Sequence, residues 1–361
     1  MSKFCLYNIT TTIKIGGIET FYWEIANELQ KQNQEVELIS GKGNYIKYNH
    51  IPIKTFSYRQ RDKILNLGNR FKKFGERLSF FLNSYRYLIK QKYDYLLIGK
   101  PLDFFVAFFI KIYKPDIKII FVSGGEDFYG FDKFFSRYID YMFAVSKDNK
   151  KIIQSRYKRN VEILHNGVDT TTFKPDMTNR VLLRKYYNLE NKKVLISVGR
   201  IIGLKGYQTV IKSLKNLNDI YYILIGKGNY LKTLKDLAKK ENVEKQVIFL
   251  GEIKNEELYK YLNVADVFIQ PTIGNEAFGI TLIEAMACNL AIVASNNSGI
   301  LDIVQDSING YLYKIGDKND MEKKIRKAFD NRYEISKNNR EYVKNNFSWK
   351  KNVQKLLKKI K

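Results

Sequence analysis

Short runs of β-branched and aliphatic residues alternate with longer amphipathic segments along almost the whole chain, and this alternation most restricts what the chain can fold into. Parallel strands need crossovers of a dozen or more residues, so strand-helix alternation builds parallel sheets with helices on both faces. The second half shows it most regularly. Residues 193–198, 221–225, 247–250, 267–270 and 290–294 read as strands, and 207–217, 230–241, 255–263 and 279–288 as the helices between them. The first half repeats the pattern more loosely, with strands expected at 3–8, 35–39, 95–98, 117–122 and 141–145. Helices at 18–32, 71–92 and 104–112 would cover that sheet. At 361 residues the chain exceeds the roughly 250 that one core usually reaches, so two Rossmann-like doubly wound domains are expected. The Asn-Gly turn signal in LHNGVD (164–169) and the following Pro175 put the boundary near 165–175. The division is drawn as 1–168 and 169–345, and the remaining segment, 346–361, ends in a lysine-rich amphipathic helix.

Charge narrows the range of partners. The chain carries 62 basic and 37 acidic residues, a net +25, which favours contact with an anion: nucleic acid, a membrane surface or a phosphorylated small molecule. Residues 1–166 hold 28 basic and 16 acidic residues and the remainder 34 and 21, so the excess is spread over both halves. The exception is 59–92, where ten Lys and Arg face only Asp62 and Glu76. Cys5 and Cys288, far apart and in apolar surroundings, read as small buried hydrophobes and not as a disulfide framework or zinc site. The first eight residues lack the apolar core of a signal peptide, and the most apolar run, 104–110, is far short of the ~20 residues that a membrane span needs. The expected location is the cytoplasm, peripherally on the cytosolic face of a membrane.

The residues richest in chemistry lie in PTIGNEAFGITLIEAMACNLAIVAS (271–295). A strand feeds a loop with Gly274 and Gly279, and a helix begins just past Gly279. Such loops bind anions, because unpaired N–H groups and the positive end of the helix dipole point outward. Glu276 precedes the helix and Glu284 sits about one turn inside it, placed to meet ligand hydroxyls; spacing alone reads equally well as two solvated surface acids. A second anion cradle is SVGRIIGLKGY (197–207), where Arg200 offers a planar fork and Lys205 a point charge beside the next helix start. Gly16-Gly17 and Gly226-Lys227-Gly228 make further glycine turns, but no three-glycine dinucleotide fingerprint or P-loop is present.

Taken in order, GGIETFYWEIANEL (16–29), AVSK (144–147), LHNGVD (164–169), VGRIIGLKG (198–206), IGKGNYLKTL (225–234) and EAFGITLIEAMA (276–287) resemble the motifs of a family 4 retaining glycosyltransferase, also termed glycosyl transferases group 1. FSWKK (347–351) resembles the start of that family's last helix. The resemblance implies the GT-B fold: two Rossmann-like domains facing across a cleft, with the C-terminal helix crossing back to the N-terminal, acceptor-binding domain. It assigns Arg200 and Lys205 to the donor diphosphate and its leaving-group charge, and Glu276 to the donor sugar. Gly199, Phe278, Gly279, Ile280 and Thr281 fall to the donor-binding loops, Glu284 to the ribose, and Gly16 and Gly17 to the loop that closes over the phosphates. It implies no metal and no cofactor, the nucleoside-diphosphate sugar being a substrate. Where such enzymes often carry an acceptor-side histidine, this chain has SGGED (123–127), so Glu126 and Asp127 are the acceptor-side candidates; His165 reads as structural. Asn289-Leu290-Ala291 and Ser298-Gly299 replace the family's usual Gly-x-Pro and Gly-Gly.

On a helix over 71–92, Phe71, Phe74, Leu78, Phe81, Leu82, Tyr85 and Ile89 share one face. Arg70, Lys72, Lys73, Arg77 and Phe81 are therefore candidates for contact with an anionic membrane surface. The expected function is transfer of a sugar, with retention and without metal, from a UDP-sugar to a hydroxyl of a glycan or lipid-linked acceptor in cell-surface polysaccharide or glycolipid synthesis. The competing reading is an inactive basic GT-B protein that binds RNA or membrane as a scaffold, but no aromatic-basic RNA-reading module is present, so nucleic acid is not an expected partner.

Overall fold

Parallel β-strands of buried aliphatic residues, each returned by a helix, form two separate sheets in the computed structural model, which describes residues 1–14, 16–125 and 127–360. Unit 1 comprises residues 1–166 together with 349–361, and unit 2 comprises 167–348.

Unit 1 contains β1 (Lys3–Tyr7), β2 (Glu35–Gly41), β3 (Ile53–Phe56), β4 (Tyr95–Ile98), β5 (Lys118–Ser123), β6 (Tyr141–Ala144) and β7 (Glu162–Ile163), in the spatial order β3-β2-β1-β4-β5-β6-β7. Strand order reverses between β1 and β4, which pair directly from Phe4–Tyr95 to Tyr7–Ile98. Ligands bind doubly wound sheets at such a reversal, outside the carboxyl ends of the strands. The helix Trp349–Ile360 packs within unit 1: the Trp349 and Phe21 rings lie 6.0 Å apart, and the hydroxyls of Tyr95 and Tyr141 donate to the Ile360 carbonyl at 3.1 and 3.0 Å.

Unit 2 contains β8 (Lys193–Val198), β9 (Ile220–Ile225), β10 (Val247–Gly251), β11 (Val267–Gln270), β12 (Ala291–Ser295) and β13 (Tyr311–Tyr313), ordered β10-β9-β8-β11-β12-β13. Its reversal lies between β8 and β11, whose carboxyl ends lead into the two glycine loops that carry Arg200, Lys205 and Glu276. Each unit has its own buried core.

The helix Asn69–Lys90 departs from the sequence expectation. Its buried residues are Glu76, Arg77, Phe80, Phe81, Ser84 and Leu88, whereas Leu82 is 64% and Phe71 44% exposed. Arg77, expected to contact a membrane surface, is buried because its guanidinium pairs with the equally buried Asp103. Phe81 is buried as well, packed against Phe105 and Phe109. Neither can touch a membrane surface as the fold stands. Arg70 is exposed, Lys72 and Lys73 are half-buried, and Lys73 is paired with Asp127 at 2.9 Å. Both cysteines are free and buried.

Candidate functional site

At the end of β8 the chain turns through Gly199, whose amide donates to the Ile225 carbonyl at 2.9 Å. Arg200 follows and is exposed; its carbonyl accepts from the Ile202 amide at 3.0 Å, while its guanidinium makes no hydrogen bond or ion pair with a described residue. A short turn, Gly203–Lys205, leads to Gly206 at φ +75, where a Cβ would lie 1.8 Å from the Pro271 carbonyl oxygen. Only glycine fits both the left-handed backbone and that approach. The loop after β8 is thereby pressed onto the loop after β11, and the amides of Ile273 and Gly274 both donate to the Leu204 carbonyl at 3.0 Å.

This contact brings Lys205 to Glu276, with Nζ 2.5 Å from Oε2. The same carboxylate oxygen accepts from Gln270 Nε2 at 2.9 Å and Thr272 Oγ1 at 3.2 Å. Both side chains of the ion pair keep some exposure, 18% for Lys205 and 14% for Glu276, so a ligand can reach them. The Glu276 backbone is clamped from the other side: its amide donates to Ser298 Oγ, and its carbonyl accepts from Ser298 Oγ and the Gly299 amide. A Cβ at Gly299 would stand 2.3 Å from the Ala277 carbonyl oxygen, so Ser298-Gly299 fills a demanding position.

Gly279, at φ +100, caps the helix Ile280–Ala287. Phe278 is buried beside the Phe347 ring at 5.6 Å, which anchors the loop just before the helix start. Thr281 Oγ1 donates to Gln270 Oε1 at 3.4 Å, so one buried amide links the helix's first turn to Glu276 and, through it, to Lys205. Glu284, only 3% exposed, accepts from Asn255 Nδ2 at 3.1 Å. Tyr207 lies beneath Gly199; burial, with the Glu276 charge second, holds its phenol well above the usual range, so it remains a neutral hydroxyl. Two cations, a held carboxylate and a helix N-terminus thus converge at one strand reversal, an arrangement suited to a polyanion bearing hydroxyl groups.

In unit 1, Gly16 precedes the helix Gly17–Lys31 and accepts from the Thr20 amide at 2.9 Å. Asp127 receives Lys73 and Lys100 at 2.9 and 3.1 Å. Burial pushes its carboxyl up, but the Lys73 hydrogen bond and the Lys100 charge outweigh that and hold it down at about 2. A carboxylate so stabilised is a weak proton acceptor. Glu126 lies outside the described residues. His165 Nδ1 donates to the Val145 carbonyl at 2.8 Å. Among the described residues no three His, Cys, Asp or Glu side chains gather as a metal cluster, and no helix is long and apolar enough to cross a membrane.

Comparison with known proteins decides what this architecture belongs to. Residues 15–172 match the model of Glycosyltransferase Family 4, and residues 180–349 match that of Glycosyl transferases group 1. The chain belongs to the family 4 glycosyltransferases. It is 26% identical to an uncharacterised glycosyltransferase of Methanocaldococcus jannaschii, over 95% of this chain and 94% of that one. It is 32% identical to a GDP-mannose-dependent α-(1-6)-phosphatidylinositol monomannoside mannosyltransferase of Mycobacterium tuberculosis, over 42% of each chain. Among solved structures, Anabaena HepE in complex with UDP and glucose superposes with a TM-score of 0.85, covering 100% of this chain and 99% of that one at 18% identity, which shows the shared GT-B fold.

In this glycosyltransferase, sequence reasoning singled out Lys205, Glu276, Thr281 and Glu284 but passed over Gln270, Thr272, Ser298 and Asn255, which position them. Gln270 reads as the last residue of a strand. The usable signal was its polarity: a buried amide ending an otherwise apolar strand requires partners on both of its ends.

Proposed function

We propose that the enzyme transfers a sugar from a nucleoside-diphosphate donor to a hydroxyl acceptor, with retention at the anomeric carbon and without a metal ion. The observation that carries this reading is the Lys205–Glu276 pair, tied through Gln270 to the start of the Ile280–Ala287 helix. Expelling a nucleoside diphosphate requires positive potential in place before the charge develops. Arg200, whose guanidinium has no partner among the described residues, supplies a bidentate fork; Lys205 can turn from Glu276 to a phosphate oxygen, while Gln270 and Thr272 keep the carboxylate in position for the sugar hydroxyls. The amides at Gly279, Ile280 and Thr281 face the diphosphate, and Glu284 receives the ribose hydroxyls. UDP is the favoured nucleotide, since HepE was solved with UDP and glucose. GDP is second, after the mycobacterial mannosyltransferase.

The acceptor is a glycan or lipid-linked saccharide of cell-surface polysaccharide or glycolipid synthesis, bound by unit 1. The enzyme works peripherally on the cytosolic face of a membrane. Exposed Leu65, Leu67 and Phe71, flanked by Lys63, Arg70 and Lys72, form the surface proposed to meet anionic lipid. Lys205→Ala and Glu284→Ala test the donor site. Each should lower donor hydrolysis and transfer by a hundredfold or more, about 2.7 kcal/mol, with an unchanged circular dichroism spectrum. Full activity in either variant would refute the assignment, and RNA binding without a thermal shift from UDP or GDP would favour an inactive scaffold.

A further inference from the structure

A second polar site lies in unit 1, beyond the carboxyl ends of β4 and β5. Lys100 follows β4, Asp127 follows β5, and the Asn69–Lys90 helix delivers Arg70 and Lys73 to the same place. Arg70, Lys73, Leu102, Asp127, Phe128 and Tyr129 line a pocket of about 250 Å³. That is smaller than the roughly 300–1,000 Å³ of drug-sized ligand pockets and suits a single head group.

Three features of the lining point to an anion. Among the described residues, Arg70 and Lys73 of the lining and Lys100, which pairs with Asp127, stand against the Asp127 carboxylate and leave two positive charges, while the neighbouring Arg77 and Asp103 cancel each other. The Arg70 guanidinium makes no hydrogen bond or ion pair with a described residue. The Tyr129 hydroxyl is buried and has no hydrogen-bond partner among the described residues, a donor left unsatisfied in a folded protein where such groups are rare. Burial and the Arg77 charge also hold the Lys100 ammonium below its usual range, a state that an added anion relieves. The ion-pair side chains keep 27–39% exposure, so they are held but reachable.

We propose that this pocket binds a phosphate group of the acceptor, through the Arg70 fork, the Lys73 and Lys100 ammonium groups and the Tyr129 hydroxyl. A phosphate monoester carries about −1.5 to −2 at neutral pH, which matches the two uncompensated charges; a carboxylate would leave one unmatched. The proposal rests on unit 1 taking the acceptor, and it names that acceptor's class: a phosphorylated saccharide or a phosphate-bearing lipid. Asp127 then acts as the internal counter-ion that holds the two lysines apart before the phosphate arrives.

The test uses the full chain with UDP at saturation, so that the donor site is occupied, and titrates glycerol 3-phosphate by calorimetry. Binding to the parent protein is expected, with at least a tenfold loss in Arg70→Met and a larger loss in Arg70→Met/Lys73→Met. Lys205→Met should leave it unchanged. Arg70 is exposed and its guanidinium has no partner among the described residues, so the single variant keeps the test valid even where the double variant unfolds. No binding to the parent, or equal binding to Arg70→Met, overturns the proposal. Phosphate binding abolished by Lys205→Met also overturns it, because the ion would then sit in the donor site. A parallel arm measures sedimentation with phosphatidylcholine vesicles containing phosphatidic acid and uses Tyr129→Phe, which leaves the proposed membrane surface intact: a lipid-borne phosphate predicts that this variant weakens vesicle binding too, and a soluble one that only the glycerol 3-phosphate titration changes. If UDP itself fails to bind while the phosphate titration behaves as stated, the donor reading fails and the anion site stands.

Discussion

Gly206 shows how much of the proposed donor site hangs on one missing side chain. It is held at φ +75 with its missing Cβ directed at the Pro271 carbonyl, 1.8 Å away, and the residue before it is Lys205. An alanine there adds about 1–2 kcal/mol of left-handed strain and must also push two backbone segments apart. Gly206→Ala should therefore lower donor hydrolysis by at least about tenfold. Gly203→Ala is the control: its Cβ would meet nothing closer than the Tyr230 ring at 3.9 Å, an ordinary contact, so it should retain near-parent activity. Steady-state UDP release by the two variants decides the point, and equal rates would mean that the Lys205 loop does not depend on this close approach. At this scale the sequence was partly legible. Lys205-Gly206 and Glu276 stand in recognisable glycine loops, whereas Gln270 and Ser298 act through partners 6 to 22 positions away in the chain, and no local pattern announces such partners.

The helix Asn69–Lys90 carries the same lesson up to the level of elements. Counting apolar residues puts Phe71 and Leu82 on one face with Phe81 and leaves Arg77 off it, yet the buried stripe runs through Arg77, Phe80, Phe81, Ser84 and Leu88. The stripe is set by a charge that hydropathy scores as polar, because Arg77 finds Asp103 across 26 positions of chain. Removing one partner of a buried pair strands the other charge, at about 3–5 kcal/mol. Arg77→Met should thus lower the unfolding temperature of unit 1 by roughly 6–20 °C. Arg77→Met/Asp103→Leu removes the stranded carboxylate and should regain most of that loss. Differential scanning calorimetry measures both, and a double variant no more stable than the single one would show that the two residues do not act as a pair. Among strands, β3, β7 and β13 escaped the sequence reading, and all three are edges of two to four residues. An edge strand pairs on one side only and is too short to display a period, whereas the inner strands are continuous apolar runs.

For the whole molecule, the alternation of strands and helices made the two-sheet architecture readable, since parallel topology leaves few ways to connect such a list of elements. The net +25 specifies much less: it is shared by both units, and what matters is where single guanidinium groups lack partners among the described residues, at Arg200 in unit 2 and Arg70 in unit 1. The chain's last helix gives the molecular scale its own prediction. Trp349–Ile360 follows unit 2 in sequence but buries Trp349, Val353, Leu356 and Ile360 within unit 1, where Asn352 also donates to the His165 carbonyl at 2.7 Å. At about 1.5–3 kcal/mol for each buried side chain, these four supply roughly 6–12 kcal/mol as an upper bound. A domain's entire stability is about 5–15 kcal/mol. A chain ending at Ser348 should therefore lose the unfolding transition of unit 1, or show it at much lower temperature, while unit 2, with its own core and the complete Lys205–Glu276 pair, still gains stability from UDP. Calorimetry with and without UDP separates the two outcomes, because a unit 1 transition unchanged by the truncation would mean that the helix adds nothing to the core it packs on.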